Sequence, residues 1–175
     1  TAFLCAVIAG FMFWLGGMWA MLFAFLFLCL NALLDALDGK IAKMFGKASK
    51  RGDFLDHVLD RYADIFIVGG ILLSGFYNFV LAFFALLGIL LTSYMGTQAQ
   101  AVGAGRDYGG IMGRADRLFV LMLLTLVQLI AFPFQFGGFY IYGLFISFID
   151  IAMIIIAIGG NVTAVQRAVR TWKRI

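Results

Sequence analysis

Charge is scarce in this sequence. Only 13% of its 175 residues are Asp, Glu, Lys or Arg, where a soluble domain has roughly a quarter. With 64% hydrophobic residues and a mean hydropathy of +1.04, that scarcity excludes an ordinary soluble domain. Cysteine is equally sparse. Cys5 and Cys29 lie inside apolar runs without framework spacing, which argues against a disulfide scaffold or a cysteine metal site and leaves them as packing residues. There is one histidine, His57; helical arithmetic points it off the face of the neighbouring aspartates, and no catalytic role is assigned to it. No convincing repeat, low-complexity stretch or soluble second domain is present, so residues 1–175 read as one transmembrane domain.

What the chain has instead is a series of apolar runs, near 2–15, 18–37, 54–76, 78–101, 117–136 and 139–160. Several approach the ~20 residues that a helix needs to cross ~30 Å of hydrocarbon. Only helices or closed barrels satisfy their backbone groups in a bilayer, and these runs lack the alternation of barrel strands. The expected fold is therefore all-α: a polytopic membrane protein of six transmembrane helices. The first run, "AFLCAVIAGFMFWL", is short at ~21 Å. It has no initiator Met, no charged flank and neither the basic n-region nor the cleavage site of a signal peptide. The expectation is a first helix truncated at its N-terminus.

Lysine and arginine are missing from alternate connections. All 13 fall in 40–61, 106–117 and 167–174, while "WLGGMW", "SGFYNF" and "FPFQFGGFYIY" carry none. That is the positive-inside pattern, so the basic regions and both termini are expected on the cytoplasmic side. Trp14, Trp19, Tyr77, Tyr140 and Tyr142 then fall at the outer interface. The net charge of +4 reflects topology and anionic headgroups rather than nucleic acid, and "QRAVRTWKRI" reads as a juxtamembrane anchor.

The few carboxylates are concentrated. Asp35 and Asp38 are three apart and share a helix face; Asp56 and Asp60, four apart, share another. Between them lie Gly39, a basic run (Lys40, Lys43, Lys47, Lys50, Arg51) and Gly52. This reads as two helices joined by a short connection, with two carboxylate pairs face to face. Such groups repel one another unless a hard cation sits between them, and oxygen-only ligands suit Mg²⁺, Mn²⁺ or Ca²⁺ rather than zinc. Carboxylates near a helix end also serve as caps or as solvated partners of lysines, the reading given to Asp53. Ionisable groups at a membrane are costly enough that four in register point to function. Asp64 continues the Asp60 face and could orient a ligand or Arg61. Asn31, one turn before Asp35, could touch a base or sugar or serve as a helix-packing amide. Asp150, in the last apolar run, needs a partner that the sequence does not name.

Asp35-x-x-Asp38-Gly39-x-x-Ala42-Lys43, eight residues, then Gly52-x-x-x-Asp56-x-x-x-Asp60 resembles the signature of the CDP-alcohol phosphotransferases, integral membrane enzymes that make phospholipids and related phosphodiesters. The chain departs from the pattern at Lys43, where the family has Arg; the charge is kept but bidentate phosphate geometry is lost. The resemblance implies metals, two Mg²⁺ or Mn²⁺ ions, held by Asp35, Asp38 and Asp56, with Asp60 sharing one and acting as general base. It further implies a nucleotide lying against Gly39, Ala42, Lys43 and Gly52, with Asn31 as a further candidate. The donor would be a CDP-alcohol, more naturally a CDP-linked lipid, and the released product CMP. The resemblance also implies a homodimer.

"GRADR" places Arg114 and Arg117 three apart, with Arg106 upstream, before the fifth run. These arginines could present a cationic face to a phosphate or only mark the membrane border. Family members that use inositol phosphate resemble this stretch, and so do archaeal ones, which favours a phosphorylated polar alcohol as acceptor. Those members carry Lys and Arg where this chain has Gly96 and Gln98. Two rival functions use similar parts. A membrane-embedded prenyltransferase also holds a diphosphate on Asp-rich helices, but its motifs lie far apart in a larger bundle. A cation transporter or channel wants carboxylates near the midplane, not beside lysines.

Overall fold

The computed structural model describes residues 1–44, 49–141 and 143–175, without the side chains of Gly39 and 41–44. The elements run α1 (Ala2–Leu15), α2 (Met18–Met44), α3 (Lys50–Leu73), α4 (Phe79–Ala101), α5 (Arg114–Ala131), a 3₁₀ turn (Phe132–Phe134), β1 (Gly138–Ile141), β2 (Leu144–Ser147) and α6 (Phe148–Trp172). The chain divides into two compact units, Thr1–Phe76 and Tyr77–Ile175. The protein is an all-α polytopic membrane protein with one small β-hairpin.

In the first unit α1 packs along both α2 and α3. It can do so because its inner face is small: Ala6, Ala9 and Gly10 are buried, with Phe13 filling the space at the far end. A Cβ added at Gly70 of α3 would run into the carbonyl oxygen of Gly10, so both positions must be glycine for the helices to cross this closely. Lipid tails are as apolar as leucine, so helix association in hydrocarbon depends on such close backbone approach. The "GG" after α1 ends it as expected, with Gly16 at φ 67° and Gly17 at φ 82°, conformations that L side chains rarely adopt. Asn31 is 1% exposed and donates to the carbonyl of Ala2 at 2.9 Å. Through this bond it ties α2 to the start of α1, the helix-packing role that the sequence also allowed.

In the second unit α4 and α6 form the main interface, and α5 packs on α6. Gly160 meets Gly88 backbone to backbone, and Thr92 donates to the Gly160 carbonyl at 2.8 Å. Asp150 has the partners it requires. Its carboxylate accepts from Ser147 N–H at 2.8 Å, Ser147 Oγ at 2.7 Å and Asn78 N–H at 2.7 Å. It thereby caps α6 and ties the start of α4 to it. Tyr77 beside it is pushed well above the ordinary tyrosine range by burial and then by the Asp150 charge.

Two expectations need correction. The sixth run was expected as a helix over 139–160; Gly138–Ile141 and Leu144–Ser147 instead pair as antiparallel strands, Gly138 with Ser147 and Ile141 with Leu144, and α6 then extends to Trp172. Gln128 of α5 holds this hairpin, donating to Gly137 O and accepting from Phe148 N–H, both at 2.9 Å. Second, α2 extends to Met44 and α3 begins at Lys50, so most of the basic run lies in helix rather than in a loop. Among the described residues, four helices are long and apolar enough to cross a membrane: Met18–Asp38, Phe79–Ala101, Arg114–Phe134 and Phe148–Trp172. The first helix is too short at 14 residues, and the N-terminal half of α3 carries too many charges.

Candidate active site

The site is built on the polar half of α3. Ser49 caps this helix, its side chain accepting from Gly52 N–H at 3.1 Å. Asp53 in the first turn adds a negative charge where the helix dipole favours one. Gly52 is exposed, and among the described residues a side chain there would meet only Ser49 Oγ, at 3.3 Å. One turn further on, ligand atoms of Asp56, His57 and Asp60 all lie within 4.8 Å of one another. Asp56 is exposed, and His57 and Asp60 are half-buried. Two hard carboxylate oxygens and an imidazole nitrogen at this separation fit a divalent cation.

His57 is the residue that helical arithmetic missed. The Cα directions diverge, but the imidazole reaches back far enough to join the carboxylates. His57 Nε2 also lies 3.1 Å from Asp53 Oδ1, which adds a histidine to the partners of Asp53. Asp64 is buried and pairs with Arg61 at 3.4 Å, the orienting partnership expected for it.

On α2, Asp35 is half-buried and Asp38 exposed, and both stand outside the three-residue cluster on α3. Among the described residues α2 and α3 are joined through α1 rather than by extensive packing on each other. The nucleotide contacts expected at Gly39, Ala42 and Lys43 lie outside the described side chains.

The second unit carries the basic candidates. The Arg106 guanidinium stacks over the Tyr108 ring, 5.1 Å from its centroid. Arg114 opens α5 half-buried, and Arg117 is 4% exposed. Asp116 helps start this helix by accepting from Gly113 N–H at 2.7 Å. Sequence reasoning missed the three charged residues that organise the preceding segment: Asp107, Arg167 and Arg170. Asp107 is 5% exposed and accepts from Arg170 Nε at 2.9 Å and Gly109 N–H at 2.8 Å. Burial pushes its carboxyl up, but the Arg170 guanidinium and the Gly109 N–H outweigh it and hold the group below its ordinary 3.8. The spacing of Thr163, Arg167 and Arg170 on one face of α6 was the available signal. An open cleft of about 750 Å³ lies along this part of α6, lined by Ile111, Val162, Val165, Val169 and Arg170 among others; it is apolar and is not the carboxylate site.

The family model of the CDP-alcohol phosphatidyltransferases matches residues 1–165. The chain belongs to that family. Its members are transferases of substituted phosphate groups. Among curated relatives, the archaetidylinositol phosphate synthase of Pyrococcus horikoshii is 36% identical over 124 residues, covering 71% of this chain and 64% of that protein. The phosphatidylinositol phosphate synthase of Streptomyces avermitilis is 33% identical over 143 residues, covering 77% of this chain and 55% of the other. The chain thus spans somewhat over half the length of these relatives. Among solved structures, Mycobacterium tuberculosis phosphatidylinositol phosphate synthase (PgsA1) with CDP-DAG bound superposes with a TM-score of 0.78 at 23% identity, covering 98% of this chain and 82% of that one. The same enzyme in complex with manganese and citrate gives 0.78 at 24% identity, covering 98% and 78%. These structural likenesses concern the fold.

Proposed function

We propose that the protein transfers a substituted phosphoryl group from a CDP-linked lipid to a hydroxyl of a phosphorylated polar alcohol, releasing CMP. The observation that carries this reading is the meeting of Asp56 and Asp60 within 4.8 Å on α3, inside a signature that continues on α2. The relatives named for archaetidylinositol phosphate and phosphatidylinositol phosphate synthesis, and the neighbour bound to CDP-DAG, support the lipid-linked donor and an inositol phosphate acceptor. The neighbour in complex with manganese supports a divalent cation. Basic residues confined to three regions support six membrane passages, with the site and both termini on the cytoplasmic face.

Asp35, Asp38, Asp56 and Asp60 would hold the metal, Mg²⁺ or Mn²⁺. When bound, the metal supplies charge neutralisation to a diphosphate that carboxylates alone would repel. Gly39, Ala42 and Gly52 offer no bulk, and a nucleotide can lie against the helices there. Asp60 accepts the proton of the acceptor hydroxyl on a carboxylate oxygen. The freed oxygen bonds to the β-phosphorus, the bond from that phosphorus to the bridging oxygen breaks, and CMP departs with the electron pair. Arg106, Arg114 and Arg117 hold the phosphate of the acceptor.

The test is calorimetric binding of CMP and of a CDP-linked lipid to the purified chain, with and without Mn²⁺. Metal-dependent binding of both, with no response to a prenyl diphosphate, is the expected outcome. Prenyl diphosphate binding in place of cytidine nucleotide would move the protein to the prenyltransferase class.

A further inference from the structure

Segment 102–113 carries or adjoins the arginines assigned to the acceptor, and surface connections are ordinarily the mobile part of a fold. This one is fastened along its length to one face of α6. Met112 N–H donates to Thr163 Oγ1 at 3.0 Å. Arg167 donates to the carbonyls of Tyr108 at 3.0 Å, Gly109 at 2.8 Å and Thr92 on α4 at 2.7 Å. Arg170 closes the row on the Asp107 carboxylate. The fit depends on missing side chains. A Cβ at Gly110 would run into Thr163, and one at Gly96 would lie 2.9 Å from the Asp107 carbonyl oxygen and 3.0 Å from Arg167 Nη1.

Asp107 is the one carboxylate in this arrangement, and it is too buried to touch a ligand itself. Its neighbours in the chain are not. Arg106 directly precedes it and lies over the Tyr108 ring, whose own carbonyl is held by Arg167. Arg114 follows the fastened stretch after Gly113. A cation on a pre-ordered backbone loses less freedom on meeting a phosphate than one on a mobile loop. We propose that Asp107 is a positioning residue for the acceptor: through Arg170 and Gly109 it fixes the backbone from which Arg106 and Arg114 extend, and so sets affinity for the acceptor phosphate without contributing to the donor site. This rests on the proposal that those arginines bind a phosphorylated acceptor.

The experiment uses the full chain in lipid nanodiscs, with myo-inositol 1-phosphate as the acceptor probe and CMP with Mn²⁺ as the donor-site probe, both by calorimetry. Hydrogen exchange over 106–113 reports on the segment itself. Asp107→Asn, which removes the charge and keeps the shape, is expected to weaken inositol phosphate binding about tenfold, the cost of one charge-assisted contact. It should also speed exchange at Gly109 and Met112 and leave CMP binding unchanged. Asp107→Glu should recover most of the affinity. Arg170→Gln should reproduce the Asn effect, and the double variant should add nothing to it, because both remove the same pair. Faster exchange with unchanged inositol phosphate affinity would reduce Asp107 to a structural residue. Equal weakening of both probes would also overturn the inference, as a general loss of fold. A wild-type chain that binds CMP with Mn²⁺ but no inositol phosphate would overturn the acceptor reading and this inference with it.

Discussion

The two units of the chain treat charge in opposite ways. In Thr1–Phe76 the aspartates of the signature are exposed or half-buried on helices held in place by apolar and glycine contacts with α1. Two pairs there lie within one helix, Asp53 with His57 and Arg61 with Asp64. In Tyr77–Ile175 the organising charges are buried and joined across long stretches of chain. Asp150 reaches Asn78, and Asp107 reaches Arg170. A buried carboxylate tied to a distant part of the chain stabilises a fold, whereas exposed or half-buried carboxylates grouped together suit a cation. The first unit therefore has the character of a site and the second that of a frame. Removing the Asp60 charge should cost activity, and removing the Asp150 charge should cost stability.

The largest effect is expected in the first unit. Asp60→Asn should lower the rate of CMP release by ~10²–10⁴-fold, the usual worth of a positioned general base. CMP binding should stay close to wild type, because the substitution keeps the size of the side chain and removes only its basicity. Turnover measured with a CDP-lipid donor decides the matter, and a variant that retains wild-type turnover removes Asp60 from the base role. Asp150→Ala is the counterpart in the second unit. It abolishes three hydrogen bonds and the carboxylate half of the capping box of α6, so a loss of ~2–4 kcal/mol in stability is expected. Unfolding in detergent should register it, while CMP affinity per folded molecule should not change. Loss of CMP binding at full stability would erase the contrast between the units.

How much of this the sequence announces depends on the range of each interaction. The carboxylate signature is local, since spacings of three and four put side chains on one face whatever surrounds the helix, and Asp56 and Asp60 do meet. The fourth apolar run, 78–101, also lies close to its helix, Phe79–Ala101, because Asn78 caps it within the same stretch by accepting from Val80 and Leu81 N–H. The hairpin at 138–147 is less legible. "GFYIYGLFIS" is as apolar as a membrane helix, and only its glycines, Gly138 and Gly143, at φ 159° and 81°, mark the turn and the strand start. Asp107 and Arg170 are separated by 63 residues, and Asp150 and Asn78 by 72. No local period brings such residues together. His57 shows a finer limit: its Cα direction is legible, but the reach of the ring is not.

The smallest effect sharpens the contrast by pH. The Asp107 carboxyl is held below its ordinary 3.8 in the folded protein, although burial alone would raise it, because Arg170 and Gly109 N–H favour the charged form. A depressed folded value means that the unfolded chain takes up the proton first as pH falls. The stability Asp107 contributes is therefore fully present above 3.8 and is lost progressively as pH falls through the lower, folded value. Wild type should unfold at a higher temperature than Asp107→Asn by a steady margin from neutral pH down to 3.8, and the margin should close below that. Thermal unfolding of both proteins across that range reads it directly. A margin that persists unchanged at the lowest pH would mean that Asp107 fastens its segment through shape and the Gly109 hydrogen bond, with the Arg170 charge pair adding nothing. The frame of the second unit would then owe its stability to geometry alone.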